Sequence, residues 1–298
     1  VTRIDAHHHL WRVRPGTPGS PVARNHDWLD TLATHSLQRD FTLDDLLPHL
    51  KEAGIDRTIL VQVLPDPDET LDFLDLAADS ATVAGVVGWA DLVSPGLPDT
   101  LAAMRSRPGG PRLVSLRHLV QSEPDPNWLC RREVRRGLRT IADAGLAYDL
   151  LTLPHQLPAA IDTVRALPDL TFVLDHLSKP PIASGHTEPW SVHLRELAAE
   201  PNVHCKLSGM VSEADADTWT VEGLRPYAEA VLDAFGPTRL MFGSDWPVCL
   251  THATYEQVVS AADELTASLT AAERTDVFGG TAVRAYKLEA HHMNEEQA

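Results

Sequence analysis

Short apolar runs recur along the chain, and each gives way to a stretch in which apolar positions return at helical spacing. The runs fall near Thr2–Leu10, Thr58–Leu64, Val83–Leu92, Leu113–Val120, Ala147–Leu153, Thr171–Leu177, Val203–Gly209 and Leu240–Ser244, and they predict strands. Segments such as Leu43–Ala53, Arg132–Ala144, Ala159–Leu167, Trp190–Ala199 and Tyr227–Phe235 predict amphipathic helices between them. Ala53-Gly54, Ala144-Gly145 and Phe235-Gly236-Pro237 each carry the glycine that ends a helix before a strand. Eight strands alternating with helices make an α/β chain of the (β/α)8 TIM-barrel kind. No GxGxxG follows the first strand, which counts against a doubly wound sheet.

Two segments break the alternation. Residues 11–40, between the first strand and the first helix, hold Pro15, Gly16, Pro18, Gly19 and Pro21 and read as a long lid loop. Pro180, Pro181 and Gly185 mark a second irregular loop after the sixth strand. Both leave C-terminal strand ends, where barrel enzymes keep their active sites. The expected organisation is one barrel over residues 1–288 and a tail, 289–298, rich in His, Glu and Gln.

Composition narrows the partners. A formal net charge of −17 argues against nucleic acid and anionic membrane surfaces. An anionic small substrate stays open, because a nearby Arg or Lys outweighs distant charge within a Debye length of roughly 8 Å. Cys130, Cys205 and Cys249 form no CxxC pair, and no apolar run has the length of a membrane span or a secretory signal. The expectation is a reduced, cytoplasmic protein acting on a small molecule, with a homo-oligomer left open.

Three polar clusters end apolar runs: Asp5-Ala6-His7-His8-His9, Leu174-Asp175-His176 and Gly243-Ser244-Asp245-Trp246-Pro247. Alternate strand residues share a face, so His7 and His9 point together and His8 is a spectator. Strands one and eight are neighbours in a closed barrel, which sets Asp245 beside the pair. Three imidazoles and a carboxylate suit zinc better than magnesium. A binuclear centre commonly needs a bridging carboxylated lysine; none lies in strands three to six, so one ion at most is expected.

On strand four, Arg117 points inward as a clamp for an anion or carbonyl, or else pairs with a nearby carboxylate. His118 has the opposite parity but ends the strand, where it can still turn into the pocket. Lys206 on strand seven either binds a substrate carboxylate or pairs with a buried acid such as Asp5. Gln62 on strand two is equally open. Trp11, Trp28 and Trp246 flank the expected mouth, for ring stacking or for lid packing.

The segments IDAHHHLW, VSLRHLVQ, FVLDHLSKPPI, NVHCKLSGM, LMFGSDWPVC and GGTAVRAYKL, in this order from Ile4 to Leu288, resemble the amidohydrolase-related barrel hydrolases of the sugar-lactonase type. That group includes fuconolactonase-like, rhamnonolactonase-like and pyrone-dicarboxylate lactonase enzymes. Thr281 stands where the group's pattern has Asn. The resemblance implies an amidohydrolase-type barrel and hydrolysis of a cyclic ester, either a sugar-acid lactone or a carboxylated one. It places His7, His9, His176 and Asp245 at the centre and Arg117 at the substrate. Members differ in their need for a divalent metal, so zinc, manganese and a metal-free site all remain readings. Asp245 is expected as general base and then acid, with Arg117 and His118 in support. Competing readings are a non-oxidative decarboxylase of the same superfamily, an amide or C–C hydrolase of a natural-product intermediate, and a barrel that binds without turnover.

Overall fold

Eight parallel strands make one sheet in strict chain order: β1 (Ile4–His8), β2 (Arg57–Val61), β3 (Val83–Gly88), β4 (Leu113–His118), β5 (Ala147–Leu150), β6 (Phe172–Leu174), β7 (Val203–Leu207) and β8 (Leu240–Phe242). The structure is a computed structural model and describes residues 2–13, 24, 26–29 and 32–288. The sheet curls until its edges meet. Just past β8, Asp245 N donates to His7 O at 2.8 Å, and His9 N donates to Trp246 O at 2.7 Å. The result is the nearly closed α/β TIM barrel that the apolar pattern predicts.

Helices α1 (Leu43–Ala53), α2 (Pro67–Ala78), α3 (Leu97–Arg105), α4 (Arg132–Asp143), α5 (Leu157–Arg165), α6 (Trp190–Ala198), α7 (Val221–Phe235) and α8 (Tyr255–Leu265) alternate with the strands. Helix α7 starts at Val221, ahead of the expected Tyr227, because Thr220 caps it by accepting from Gly223 N at 3.1 Å. Gly54 ends α1 with φ 63°, a left-handed conformation that favours glycine. The strands are shorter than their apolar runs. Their last residues bend into the loops that carry the polar clusters, and this bending is what positions the chemistry.

Inside the barrel, Ile4, Ile59, Val61, Val87, Val173 and Met241 form one buried apolar cluster with Ala282, Ala285 and Tyr286. The lid segment is pinned at its two ends, since Trp11 N donates to Phe41 O at 3.1 Å and Phe41 N donates back to Trp11 O at 2.9 Å. Short 3-10 turns, Asp27–Leu29 and Leu32–Leu37, lie between those ends. Pro15, Gly16, Pro18, Gly19, Pro21 and the tail 289–298 lie outside the described residues. No helix among the described residues is long and apolar enough to cross a membrane.

The pairing of β1 with β2 shifts register between Asp5 and His8. Asp5 consequently parts company with His7 and reaches helix α8. Its carboxylate accepts from His7 N at 3.1 Å, Ser244 N at 2.8 Å and the Tyr255 hydroxyl at 3.1 Å. Lys206 does take buried acids as partners, but Asp5 is not one of them; it ties the β1–β8 seam instead. Burial raises its pKa to about 6, against the hydrogen bonds that lower it. Asp5→Ala leaves two buried N–H groups without an acceptor, and we expect a loss of about 2–4 kcal/mol. Urea unfolding measures it; a midpoint equal to wild type would show that the seam does not need this acceptor.

Candidate active site

The three polar clusters meet at the C-terminal end of the barrel. His7 and His9 arrive from β1, with Nε2 atoms 3.2 Å apart. Asp245 Oδ1 lies 3.4 Å from His9 Nε2 and 3.8 Å from the Nε2 atoms of both His7 and His176. His8 faces away and bonds Thr58 Oγ1 through Nε2 at 2.9 Å. His9, Arg117, His176 and Asp245 line a pocket of about 400 Å³, together with Trp11, Trp28, Lys179 and Glu213.

His176 reaches this pocket through an unusual turn. Residues His176, Leu177, Ser178 and Lys179 follow β6 in succession with φ of 50°, 55°, 59° and 52°. Left-handed backbone costs L-residues roughly 1–2 kcal/mol each, so neighbours must over-determine it. They do. Trp190 Nε1 donates to Leu177 O at 2.7 Å, Ser178 Oγ bonds Thr152 Oγ1 at 2.8 Å, and His176 Nδ1 bonds Ser208 Oγ at 2.8 Å. Gly209 lets the ring come this close, because a Cβ there would lie 2.6 Å from His176 Nδ1.

Below the histidines is a sealed ionic lattice. Lys206 Nζ lies 2.6 Å from Asp149 Oδ2, 2.9 Å from Asp175 Oδ1 and 3.0 Å from His7 Nδ1. Ser115 and Tyr286 also donate to Asp149, at 2.7 and 2.9 Å. Arg117 bonds Asp175 Oδ2 at 3.0 Å through one NH2 group, and through the other Gln62 O at 2.5 Å and Gln62 Oε1 at 3.1 Å. Two acids balance two cations with no side chain in contact with solvent beyond a few per cent.

The structure sets several of the expected substrate contacts outside the pocket, and Lys206 follows its buried-acid reading. Lys206 and Gln62 lie a layer beneath the pocket, with their polar atoms committed to Asp149, Asp175 and Arg117 rather than turned toward a ligand. Trp246 is also buried, its ring 5.3 Å from that of Phe41 and edge-on to it. His118 keeps its strand parity and points away from Arg117. Its ring stacks on Trp128 at 4.3 Å, Nδ1 accepts from Trp89 Nε1 at 3.2 Å, and Nε2 faces Glu123 Oε1 at 2.7 Å. Arg117, Trp11 and Trp28 do line the pocket. Asp149, Asp175, Gly209, Lys179, Glu213 and Tyr286 carried no sequence-based role, whereas Ser208 shares the inward polar face of strand seven with Lys206. An acid inside the apolar run AYDLL was the one available signal for Asp149.

Burial sets the protonation states. It drives His7 well below its ordinary pKa, with Lys206 adding to the effect, and takes His176 down to about 4, so both are neutral imidazoles at neutral pH. Burial alone would raise Asp245. The positive charge that His176 takes on once it protonates, together with the adjacent His9 and the charge of Lys179, outweighs burial and holds the carboxyl below its ordinary value.

His7, His9 and Asp245 are spaced to hold a divalent ion. Tetrahedral bonds of zinc type put ligand atoms roughly 3.3 Å apart, close to the separations among His7 Nε2, His9 Nε2 and Asp245 Oδ1. His9 Nδ1 faces the Val61 carbonyl at 2.8 Å. A carbonyl only accepts, so Nδ1 carries a proton toward it and Nε2 is the ring nitrogen turned to the ion's place. His7 Nδ1 faces both the Lys206 ammonium at 3.0 Å and Asp175 Oδ1 at 3.4 Å, and its Nε2 serves as a ligand when an Nδ1 proton turns to Asp175.

The sequence pattern of the amidohydrolase family matches residues 4–288. An L-fucono-1,5-lactonase of Burkholderia multivorans is 40% identical over 302 residues, 96% of this chain and 96% of that protein. An L-fucono-1,5-lactonase of Burkholderia ambifaria is 40% identical over 248 residues, 83% of this chain and 80% of that protein. The crystal structure of a Burkholderia multivorans amidohydrolase with bound Zn superposes with a TM-score of 0.88 at 38% identity, covering 97% of this chain and 100% of that one.

Lys206→Met leaves Asp149 and Asp175 with too little counter-charge in a dry interior, and we expect it to cost about 3–5 kcal/mol. Denaturant unfolding reads the loss, and adding Asp149→Asn recovers part of it. Equal stability of Lys206→Met and wild type would show that the lattice does not depend on this ammonium.

Proposed function

Since the chain belongs to the amidohydrolase family, we propose that it hydrolyses the cyclic ester of a small lactone, with Asp245 as the general base. The observation that carries this reading is a carboxylate held in its ionised form among three imidazoles, open to a pocket of about 400 Å³. The two lactonases at 40% identity support a sugar-acid lactone as substrate.

In this mechanism Asp245 takes a proton from water as the water oxygen attacks the ester carbonyl. Negative charge gathers on the carbonyl oxygen, within the field of the Arg117 guanidinium that lines the pocket. The ring C–O bond then breaks, and Asp245 returns its proton to the departing alkoxide. The hydroxy acid formed ionises and releases one proton to solvent. A single divalent ion on His7, His9 and Asp245, with His176 beside them, would supply a Lewis acid to that carbonyl; zinc is the first choice and manganese the second.

Asp245→Asn keeps the shape and removes the base. We expect kcat to fall by about a thousandfold, within the range for general-base catalysis, with KM changed by less than about threefold. Proton release in weak buffer against a panel of γ- and δ-lactones measures it, and near-normal turnover would sink the assignment. For the metal, zinc added to chelator-treated protein should raise the thermal midpoint, and His9→Ala should abolish the rise. A zinc response unchanged in His9→Ala would place the ion elsewhere.

A further inference from the structure

The left-handed turn after β6 delivers two side chains to the pocket, and the mechanism above uses only one of them. His176 stands at its start and Lys179 at its end, and both line the cavity. Lys179 Nζ lies 3.3 Å from Glu213 Oε1, with both side chains about a quarter exposed, at 25% and 26%. Ion pairs this open to water hold weakly and exchange readily.

Among the described residues lining the pocket, Arg117 and Lys179 are the side chains of fixed positive charge. Arg117 has both NH2 groups committed to Asp175 and Gln62. Lys179 has three N–H donors and one ionic partner, Glu213, which also lines the cavity.

Lactone hydrolysis changes the charge of what occupies that cavity. A neutral ester gains one water, one ring C–O bond breaks, and the acid formed gives its proton to solvent, leaving a carboxylate beside the Asp245 carboxylate. Two like charges in one pocket repel unless a cation stands with them.

We propose that Lys179 is the counter-charge for the carboxylate that ring opening creates, and that it leaves Glu213 to bind the open-chain hydroxy acid. This rests on the lactonase reading and extends it to the product. Glu213 then competes with the product for one ammonium and helps to expel it.

The test compares KM for the best neutral lactone with inhibition by the sodium salt of its own ring-opened acid. Wild type, Lys179→Met, Lys179→Arg and Glu213→Gln are measured. Lys179→Met should weaken product inhibition by about tenfold or more, the loss of one charge-assisted hydrogen bond, while KM for the lactone moves less than about threefold. Lys179→Arg keeps the charge and should restore product binding. Glu213→Gln should tighten it. Unchanged inhibition in Lys179→Met, or equal rises in KM and inhibition constant, would overturn the proposal.

If Lys179→Met is poorly folded, the Glu213→Gln arm decides: tighter product binding supports the proposal and unchanged binding refutes it. Should wild type open no lactone, the lactonase reading fails. Calorimetric titration with sodium gluconate then decides the anion site alone: binding lost in Lys179→Met sustains it, and binding indifferent to Lys179→Met or absent in wild type refutes it.

Discussion

The ammonium of Lys206 is the interaction on which the rest of this barrel depends. It stands between Asp149 of β5 and Asp175 just past β6, and it touches His7 of β1. Arg117 of β4 completes the set through Asp175. Charges in so dry a place are tolerable only in company, since each is costly to take from water alone. Five strands, β1, β4, β5, β6 and β7, are therefore tied together by electrostatic necessity as well as by apolar packing. Such a lattice is weak evidence for added stability, but it does fix geometry: His7 can occupy few positions with a cation and an anion at its Nδ1 edge.

Above that lattice, strain and absent side chains set the finer distances. The left-handed run from His176 to Lys179 persists because Trp190, Thr152 and Ser208 each hold part of it. Gly209 and Gly243 do a related job, for a Cβ on either would collide with His176 or His7. His176 and His7 are thus seated against bare backbone, and His176 and His9 open to the pocket while His7 stays buried beneath it. This places a pre-oriented set of donors and acceptors around Asp245, an arrangement that needs little reorganisation as charge develops.

The sequence made the barrel legible because a strand buried on both faces is a continuous apolar run, and eight such runs separated by helical periods admit few folds. The convergence of His7, His9, His176 and Asp245 was legible from their common place at strand ends. The partners of Lys206 were not. Strict alternation put Asp5 on the His7 face, and the register shift between Asp5 and His8 cancelled that inference, something no local pattern announces. His118 shows the reverse: parity alone gave its true direction, and its position at the end of β4 suggested a freedom that the stacked Trp128 ring removes. Asp149 and Asp175 came from different strands, and only the closed topology brings them to one ammonium. The turn at His176 was hidden for a similar reason, since its backbone is imposed from neighbouring loops.

Tyr286 gives the architecture an order in time. Its hydroxyl donates to Asp149 at 2.9 Å, inside the lattice that also holds His7. A chain emerging from the ribosome presents β1 through β7 well before that hydroxyl, so the two acids and their cations must wait in a hydrated, unfinished cavity. Vectorial synthesis can build the early strands and helices but cannot dry the centre of this barrel. Sealing this charged interior therefore calls on a residue from near the end of the described residues, since Tyr286 meets Asp149 across 137 positions of chain.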